Sequence, residues 1–202
     1  MKGRRLRAEH DPHYGKSAYA RIPNDAYFTR DERCAPALLG LLPQLRGQRI
    51  WEPAAGGYDL AEDLRAGGTG PVVCSDILRY RPAPEGLAEL TLGSFFDFQR
   101  PPRGVRVICT NPPNKFSYPF AEHALRLMRV VRGLVALLVP IAWDAAPGRT
   151  HLLEGHPAFA LKIVLTFRPW WFERRDSQPR EFWQWLVWDW SRRPGPAPVR
   201  YA

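Results

Sequence analysis

Hydrophobic and polar positions alternate along the chain in blocks that predict strands separated by helices. Four short apolar runs are typical of buried parallel strands and lie at residues 48–53, 71–76, 105–110 and 134–140. Three segments with apolar side chains at helical spacing lie at residues 31–42, 59–68 and 118–133. Pro43 and Gly133 end two of these helices. This order predicts an α/β fold, with a mostly parallel sheet covered by helices on both faces.

The last third of the chain follows a different pattern. Residues 160–167 and 182–190 are β-rich runs with no helix between them, which predicts an antiparallel pair at one edge of the sheet. Their tryptophans are predicted to pack in a core rather than to stack on bases. Residues 196–202 are proline-rich and predict an extended tail. Residues 1–24 are basic and poor in apolar side chains, which predicts a flexible arm.

Length and composition fit one domain over residues 25–195. The chain has 202 residues, of which 45% are hydrophobic and 24% are charged, as in globular proteins. No apolar run approaches the roughly 18 residues of a membrane span, and the basic start has no apolar core of a signal peptide. We therefore expect a cytoplasmic protein with no membrane partner.

Cysteine and histidine spacings point to no metal. Cys34, Cys74 and Cys109 are far apart and form neither a zinc pattern nor a disulfide framework, so we expect buried thiols. The histidines at 123, 151 and 156 have no partners spaced for a metal or a nucleophilic triad.

The net charge is +9, and the basic residues are overwhelmingly arginine. Arginine binds phosphate in a bidentate manner, so this excess favours a nucleic acid partner. An arginine-rich, lysine-poor sequence is also what a GC-rich genome produces.

The stretch Thr110–Phe116, TNPPNKF, follows a predicted strand. Pro112 and Pro113 supply no backbone donors and have a fixed φ, so the strand must stop at Asn111 in a rigid turn. The Asn111 side chain is therefore presented at the strand end rather than packed.

Acidic residues lie at the ends of the first two predicted strands, and a third acid lies in the segment that follows them. Glu52 precedes a loop of small residues, and a carboxylate there suits an ammonium group on a ligand. Asp76 lies where α/β nucleotide sites place an acid for ribose hydroxyls. Asp97, flanked by Phe96 and Phe98, suits an adenine amine. The small residues also fit an ordinary turn, and the segment around Asp97 also fits a surface turn with its rings in the core.

Together these acids resemble the cofactor site of class I S-adenosylmethionine-dependent methyltransferases. With TNPPN the resemblance narrows to amino-methyltransferases with an Asn-Pro-Pro-aromatic motif, chiefly the compact phage and prophage adenine-N6 DNA enzymes. It covers roughly residues 24–195, from NDAYFTRDERCAPALL to FWQWLVWDW. It implies a Rossmann-like fold.

The resemblance also implies roles for individual residues. S-adenosylmethionine would be bound by Tyr27, Thr29, Glu52, Pro53, Ala54, Gly56, Asp76, Ile77, Asp97, Phe98 and Asn111. The catalytic motif would be Asn111, Pro112, Pro113 and Asn114, with Phe116 or Tyr118 as the substrate-binding ring. The acceptor would be N6 of adenine in DNA rather than RNA. Because little chain lies outside the core fold, base-sequence selectivity would be low or would be supplied by a protein partner.

Two positions depart from the family pattern. Asn114 stands where an aromatic residue is usual, and Tyr58 stands where a further glycine is common, so its ring must turn outward to avoid the cofactor. Alternatives therefore stay open: an RNA adenine or protein glutamine methyltransferase, or a catalytically inactive nucleic-acid-binding protein with this fold.

Overall fold

A computed structural model of the chain describes residues 27–171 and 181–202. The predicted arm lies outside the described residues. The helices are α1 (Cys34–Leu41), α2 (Asp59–Ala66) and α3 (Ser117–Val130). The strands are β1 (Ile50–Glu52), β2 (Val72–Asp76), β3 (Thr91–Leu92), β4 (Val107–Thr110), β5 (Leu134–Pro140), β6 (Phe159–Val164), β7 (Trp183–Asp189) and β8 (Val199–Tyr201).

The strands form an eight-stranded sheet in the order β3-β2-β1-β4-β5-β7-β6-β8. Strands β1 to β5 pair in parallel, whereas β7 is antiparallel to both β5 and β6. The predicted Rossmann-like, mostly parallel sheet with an antiparallel pair is confirmed. The carboxyl ends of β1, β2 and β4 lie side by side because these strands are neighbours with one direction.

Two strands extend the sheet beyond the prediction. β8, in the segment predicted as a tail, pairs in parallel with β6, so the antiparallel pair does not form the outermost edge. β3 has two residues, both exposed. Neither strand has an apolar pattern that sequence reading detects: all three residues of β8 are also exposed.

Two layers of side chains cover the sheet. Ile50 faces a core cluster that contains α1 and α2, whereas the next residue, Trp51, faces a cluster that contains α3. The same alternation runs along β4 and β5, as the period-two geometry of strands requires. The helices therefore lie on both faces, as predicted.

Tryptophans of β7 pack in these cores. Trp185 and Trp188 are fully buried. The Trp185 indole Nε1–H donates to the Cys34 carbonyl at 3.0 Å, and that of Trp188 to the Leu152 carbonyl at 2.6 Å. Their burial confirms core packing for these two side chains. The two carbonyls supply the acceptors that buried indole N–H groups usually have.

Cys34, Cys74 and Cys109 are buried thiols, as predicted. Among the residues that the structure describes, no helix has the length and apolar character needed to cross a membrane.

Candidate functional site

A cavity of about 300 Å³ opens where β1, β2 and β4 end. Ligand sites in open α/β sheets lie at this edge. Eleven of the residues that the sequence singled out line this cavity: Tyr27, Thr29, Glu52, Pro53, Ala54, Gly56, Asp76, Ile77, Asn111, Pro113 and Phe116. The structure thus brings together the segment before α1, the loop after β1 and the Asn-Pro-Pro turn.

Five predicted site residues do not line the cavity: Asp97, Phe98, Pro112, Asn114 and Tyr118. Asp97 is exposed at the end of the 3₁₀ turn Phe95–Asp97. The Phe98 ring packs against Trp51, with ring centres 4.8 Å apart.

Other residues of the same segment replace Asp97 and Phe98 at the cavity: Ser94, Phe95 and Phe96. The Ser94 hydroxyl accepts a hydrogen bond from the Phe96 N–H at 3.3 Å and begins the 3₁₀ turn. A turn of three residues directs successive side chains differently, which the pattern of three phenylalanines could not specify.

Glu52, the last residue of β1, is the buried acid of the site. Its side chain is 1% exposed, and Oε1 accepts a hydrogen bond from the Ala54 N–H at 3.1 Å. Oε2 is buried without a hydrogen-bond partner among the described residues. Burial raises the pKa of Glu52 to about 8, against the lowering effects of the nearby Thr110 hydroxyl and the Ala54 N–H. Oε2 can therefore accept a hydrogen bond from a ligand in the cavity.

Asp76 ties the end of β2 to the loop after β1. Its Oδ2 accepts from the Gly56 N–H at 2.8 Å, and Oδ1 accepts from the Leu78 N–H at 3.2 Å. Burial raises the pKa of this carboxyl, while these N–H groups oppose the rise. Each carboxylate oxygen has a second lone pair, so Asp76 retains acceptor capacity toward the cavity.

The small residues after β1 make room for Phe28, which sequence reading missed. A Cβ placed on Gly56 would lie 2.5 Å from the Phe28 ring, and the Gly56 φ of +51° favours glycine. The Tyr80 ring meets Phe28 edge-on, with ring centres 4.8 Å apart. Phe28 and Tyr80 both line the cavity, so the close approach expected for a ligand is partly taken by an aromatic side chain.

Tyr58 turns away from the cavity. Its φ of +70° lies in the left-handed region, which glycine adopts most easily. For a tyrosine this backbone conformation costs about 1–2 kcal/mol. The side chain is fully buried in the core cluster that contains α1 and α2, and it does not line the cavity. The ring is thus placed where it does not crowd a ligand.

Asn111 follows β4 and lines the cavity. Its Nδ2–H donates to the Tyr27 carbonyl at 3.0 Å. This bond fixes the amide rotamer, because only the nitrogen can donate to a carbonyl. The Oδ1 atom remains an acceptor with no donor among the described residues.

The turn after Asn111 brings Phe116 to the cavity. Asn114–Phe116 form a 3₁₀ turn in which the Phe116 N–H donates to the Pro113 carbonyl at 2.9 Å. Asn114 is exposed, whereas the Phe116 ring lines the cavity and is 53% exposed. Tyr118 lies in α3, and its hydroxyl donates to Glu122 Oε1 at 2.9 Å. Of the two candidate rings, Phe116 is the one at the cavity.

His123, to which the sequence assigned no role, contacts the segment that forms one cavity wall. Arg126 Nη2 lies 3.0 Å from Nδ1, and the Phe98 carbonyl lies 3.1 Å from Nε2. Arginine only donates and a carbonyl only accepts, so the ring is the neutral tautomer with hydrogen on Nε2. The ring also packs edge-on against Phe95 and Phe96. No spacing in sequence reveals such a contact.

Comparison with known protein families found no match, and no curated protein matches the chain. Solved structures do resemble it. A proposed RNA methyltransferase from Pyrococcus horikoshii superposes with a TM-score of 0.58 at 13% identity, covering 78% of this chain and 82% of that one. The fold is that of class I methyltransferases.

Two further structures support this assignment of the fold. A proposed class I S-adenosylmethionine-dependent methyltransferase from Listeria monocytogenes has a TM-score of 0.57 at 16% identity, covering 90% of this chain and 67% of that one. The modification subunit of a proposed type I restriction enzyme from Vibrio vulnificus has a TM-score of 0.50 at 14% identity, covering 86% of this chain and 46% of that one.

The cavity is lined by polar and aromatic groups of several kinds. Across residues 27–171 and 181–202, no three His, Cys, Asp or Glu side chains converge as ligands of one ion. The cavity instead combines a buried acid, a second acid, an amide oxygen and aromatic rings. These groups suit a ligand with cationic, hydroxyl and planar parts.

Proposed function

We propose that the protein transfers a methyl group from S-adenosylmethionine to N6 of adenine, with DNA as the acceptor. The observation that carries this proposal is the orientation of Asn111, whose Nδ2 is bound by the Tyr27 carbonyl so that Oδ1 is left to accept. An amide oxygen held in this way at the cavity suits an amine substrate.

The cavity residues fit the proposed cofactor. When bound, S-adenosylmethionine supplies an electrophilic methyl group on sulfur. Glu52 Oε2, buried and without a hydrogen-bond partner in the described part of the chain, would accept from its ammonium group, and Asp76 would accept from its ribose hydroxyls. Ile77 and Phe96 supply apolar surface for its base.

The acceptor amine would be activated by position rather than by a strong base. Asn111 Oδ1 and the Pro112 carbonyl would accept its two hydrogens, which directs the nitrogen lone pair toward the methyl carbon. Among the described residues no donor bonds to the Pro112 carbonyl, whereas that of Pro113 accepts from Phe116. The amine nitrogen would gain an N–C bond at the expense of the C–S bond of the cofactor and would then lose one proton to solvent.

Phe116 would stack on the acceptor base. Its ring lines the cavity and remains half exposed, as a base-stacking face must be before the substrate binds. The usual aromatic position of the motif, Asn114, is exposed and outside the cavity lining. Phe116 would therefore supply the base-stacking ring that the motif usually has at position 114.

Charge supports a nucleic acid substrate, whereas the preference for DNA over RNA rests on the resemblance of the Asn-Pro-Pro motif to that of adenine-N6 DNA methyltransferases. A net charge of +9, mainly from arginine, favours a polyanionic substrate and weighs against the side chain of a protein glutamine. Similar structures are described as an RNA methyltransferase and as a restriction-enzyme subunit, so these likenesses do not separate DNA from RNA.

A tritiated-methyl assay over single-stranded DNA, duplex DNA and RNA tests this proposal, with the product digested and its methylated nucleoside identified by mass spectrometry. We expect N6-methyl-deoxyadenosine. Label confined to RNA or to protein glutamine would show that the acceptor is wrong, and failure to bind near-millimolar S-adenosylmethionine in calorimetry would favour an inactive binding protein.

A further inference from the structure

The first residue of α3 links the Asn-Pro-Pro turn to the rest of the protein. Ser117 is 2% exposed, and its hydroxyl donates to the Asn114 carbonyl at 2.8 Å. The same oxygen accepts from the Trp143 indole Nε1–H at 2.9 Å. Because an indole N–H can only donate, the Ser117 hydroxyl must accept from Trp143 and donate its own hydrogen to the Asn114 carbonyl.

Trp143 is itself held firmly. It lies in the 3₁₀ segment Ile141–Ala145 after β5 and is 4% exposed. The Arg149 guanidinium donates to the Trp143 carbonyl at 2.7 Å and lies 4.6 Å from its ring centre. A donor fixed from two sides can hold Ser117 in one position.

The segment that carries Trp143 is anchored to the sheet. Lys162 of β6 lies 2.6 Å from Asp144 Oδ2, and Gln184 of β7 donates to Asp144 Oδ1 at 3.2 Å. Gln184 is fully buried. A continuous set of contacts therefore runs from β6 and β7 through Asp144, Trp143 and Ser117 to the turn that carries Phe116.

We propose that Trp143 is a positioning residue for the methyl acceptor, acting through Ser117 on the turn Asn114–Phe116. The inference rests on the proposed function, in which Phe116 stacks on the acceptor base. Trp143 does not line the cavity, so its effect on the substrate is indirect, and the hydrogen bonds place the turn Asn114–Phe116 between the two. The cofactor residues Glu52 and Asp76 lie at the ends of β1 and β2, outside this set of contacts.

Trp143→Phe removes the indole donor and keeps an aromatic ring. We expect amide hydrogen exchange across residues 111–118 to quicken about tenfold, because the turn loses its tie to the sheet. We expect kcat for methyl transfer to fall about tenfold, since small misplacements of a reacting group slow catalysis strongly. The affinity for S-adenosylmethionine should stay within twofold of wild type.

Trp190→Phe is the matched control. The Trp190 indole also donates to α3, at the Leu125 carbonyl at 3.1 Å, but far from the turn. This variant should leave both exchange over 111–118 and kcat near wild type. Ser117→Ala breaks the same link from its other end, and combining it with Trp143→Phe should add little to either single change.

Equal effects of the two tryptophan variants would overturn the inference, as would unchanged exchange in Trp143→Phe and Ser117→Ala. Faster exchange with unchanged kcat would show that the link holds the turn without positioning the acceptor. If the wild type transfers no methyl group, the proposed function fails, and the acceptor role of Trp143 fails with it. The exchange data then still decide whether Trp143 holds the turn.

Discussion

Asn111 and Glu52 present two different acceptors to one cavity. The Asn111 amide is neutral at every pH, and its orientation is fixed by a single bond to the Tyr27 carbonyl. Glu52 is titratable, and burial raises its pKa to about 8. Near neutral pH Glu52 is therefore mainly protonated, and an ion pair with a cationic group requires this acid to ionise.

Glu52→Gln should change how stability depends on pH. The folded pKa of Glu52 lies above its unfolded value, so the native state binds more protons, and stability falls as pH rises from about 4.5 to about 8. Glutamine removes this loss. Thermal melts should show the variant gaining stability relative to wild type between pH 5 and pH 9.

The same substitution should weaken binding of S-adenosylmethionine, because the amide cannot pair with an ammonium group. Between pH 6 and pH 7 the ionised fraction of Glu52 increases with pH, so calorimetry should show wild-type affinity increasing by up to about tenfold per pH unit. This increase should be absent in the variant. A difference in melting temperature that is constant from pH 5 to pH 9 would contradict the assignment of the raised pKa to Glu52.

Short segments next to the strands form much of the cavity wall, beside the last residues of β1 and β2. The segment before α1 lies over the glycine loop and is anchored by Asp31, which is 3% exposed. Asp31 accepts from the Arg33 guanidinium at 2.7 and 2.8 Å and from the Trp170 N–H at 3.2 Å. Burial raises the pKa of Asp31, but the hydrogen bonds lower it by more, so the pKa of this carboxyl lies below its usual value. The anchor thus stays charged at neutral pH.

His123→Phe tests the wall formed by residues 94–98. Phenylalanine keeps the ring packing against Phe95 and Phe96 but loses the hydrogen bond to the Phe98 carbonyl. We expect a three- to tenfold weaker affinity for S-adenosylmethionine with a loss of stability of about 1 kcal/mol. Calorimetry and urea unfolding measure these two effects.

Arg126→Gln is the control for His123, since it removes the other partner of the ring at the exposed surface. Its affinity for the cofactor should stay near wild type. A His123→Phe variant with unchanged affinity would show that the wall does not depend on this bond.

The whole molecule has an excess of positive charge that bears on its substrate. Nucleic acid binding by such a protein releases counterions, so affinity falls steeply with salt. Residues 1–24 contribute six basic side chains, at positions 2, 4, 5, 7, 16 and 21. This stretch should supply phosphate contacts without sequence preference.

Removal of residues 1–24 should therefore reduce the slope of log affinity against log salt by about 1 or more for a single-stranded DNA oligonucleotide. Fluorescence anisotropy at several salt concentrations measures this slope. An unchanged slope would mean that the stretch contacts no phosphate.

Most of the fold was predictable because its strands and helices have strong periodic patterns. The apolar runs around Ile50, Val72 and Val107 predicted the parallel strands. Because parallel strands end at the same edge of a sheet, they also predicted the edge at which the cavity lies. β3 and β8 were not predictable, since both are short and exposed and depend on pairing with a neighbour rather than on their own pattern.

The lining of the cavity was predictable where a residue ends a strand or directly follows one, as Glu52, Asp76 and Asn111 do. It was not predictable where a turn decides the direction of a side chain. Phe96 rather than Asp97 lines the cavity, and Phe28 fills space above Gly56. Both outcomes depend on three-dimensional packing between segments far apart in sequence.

Single-turnover methyl transfer by Asn111→Ala tests the proposed role of the Asn111 amide oxygen most directly. With tritiated S-adenosylmethionine and an adenine-containing acceptor, we expect transfer to fall at least about 100-fold, because the amine loses its oriented acceptor. Cofactor affinity, measured by calorimetry, should change less than about threefold, since Glu52 and Asp76 remain. Transfer at the wild-type rate by this variant would contradict the account.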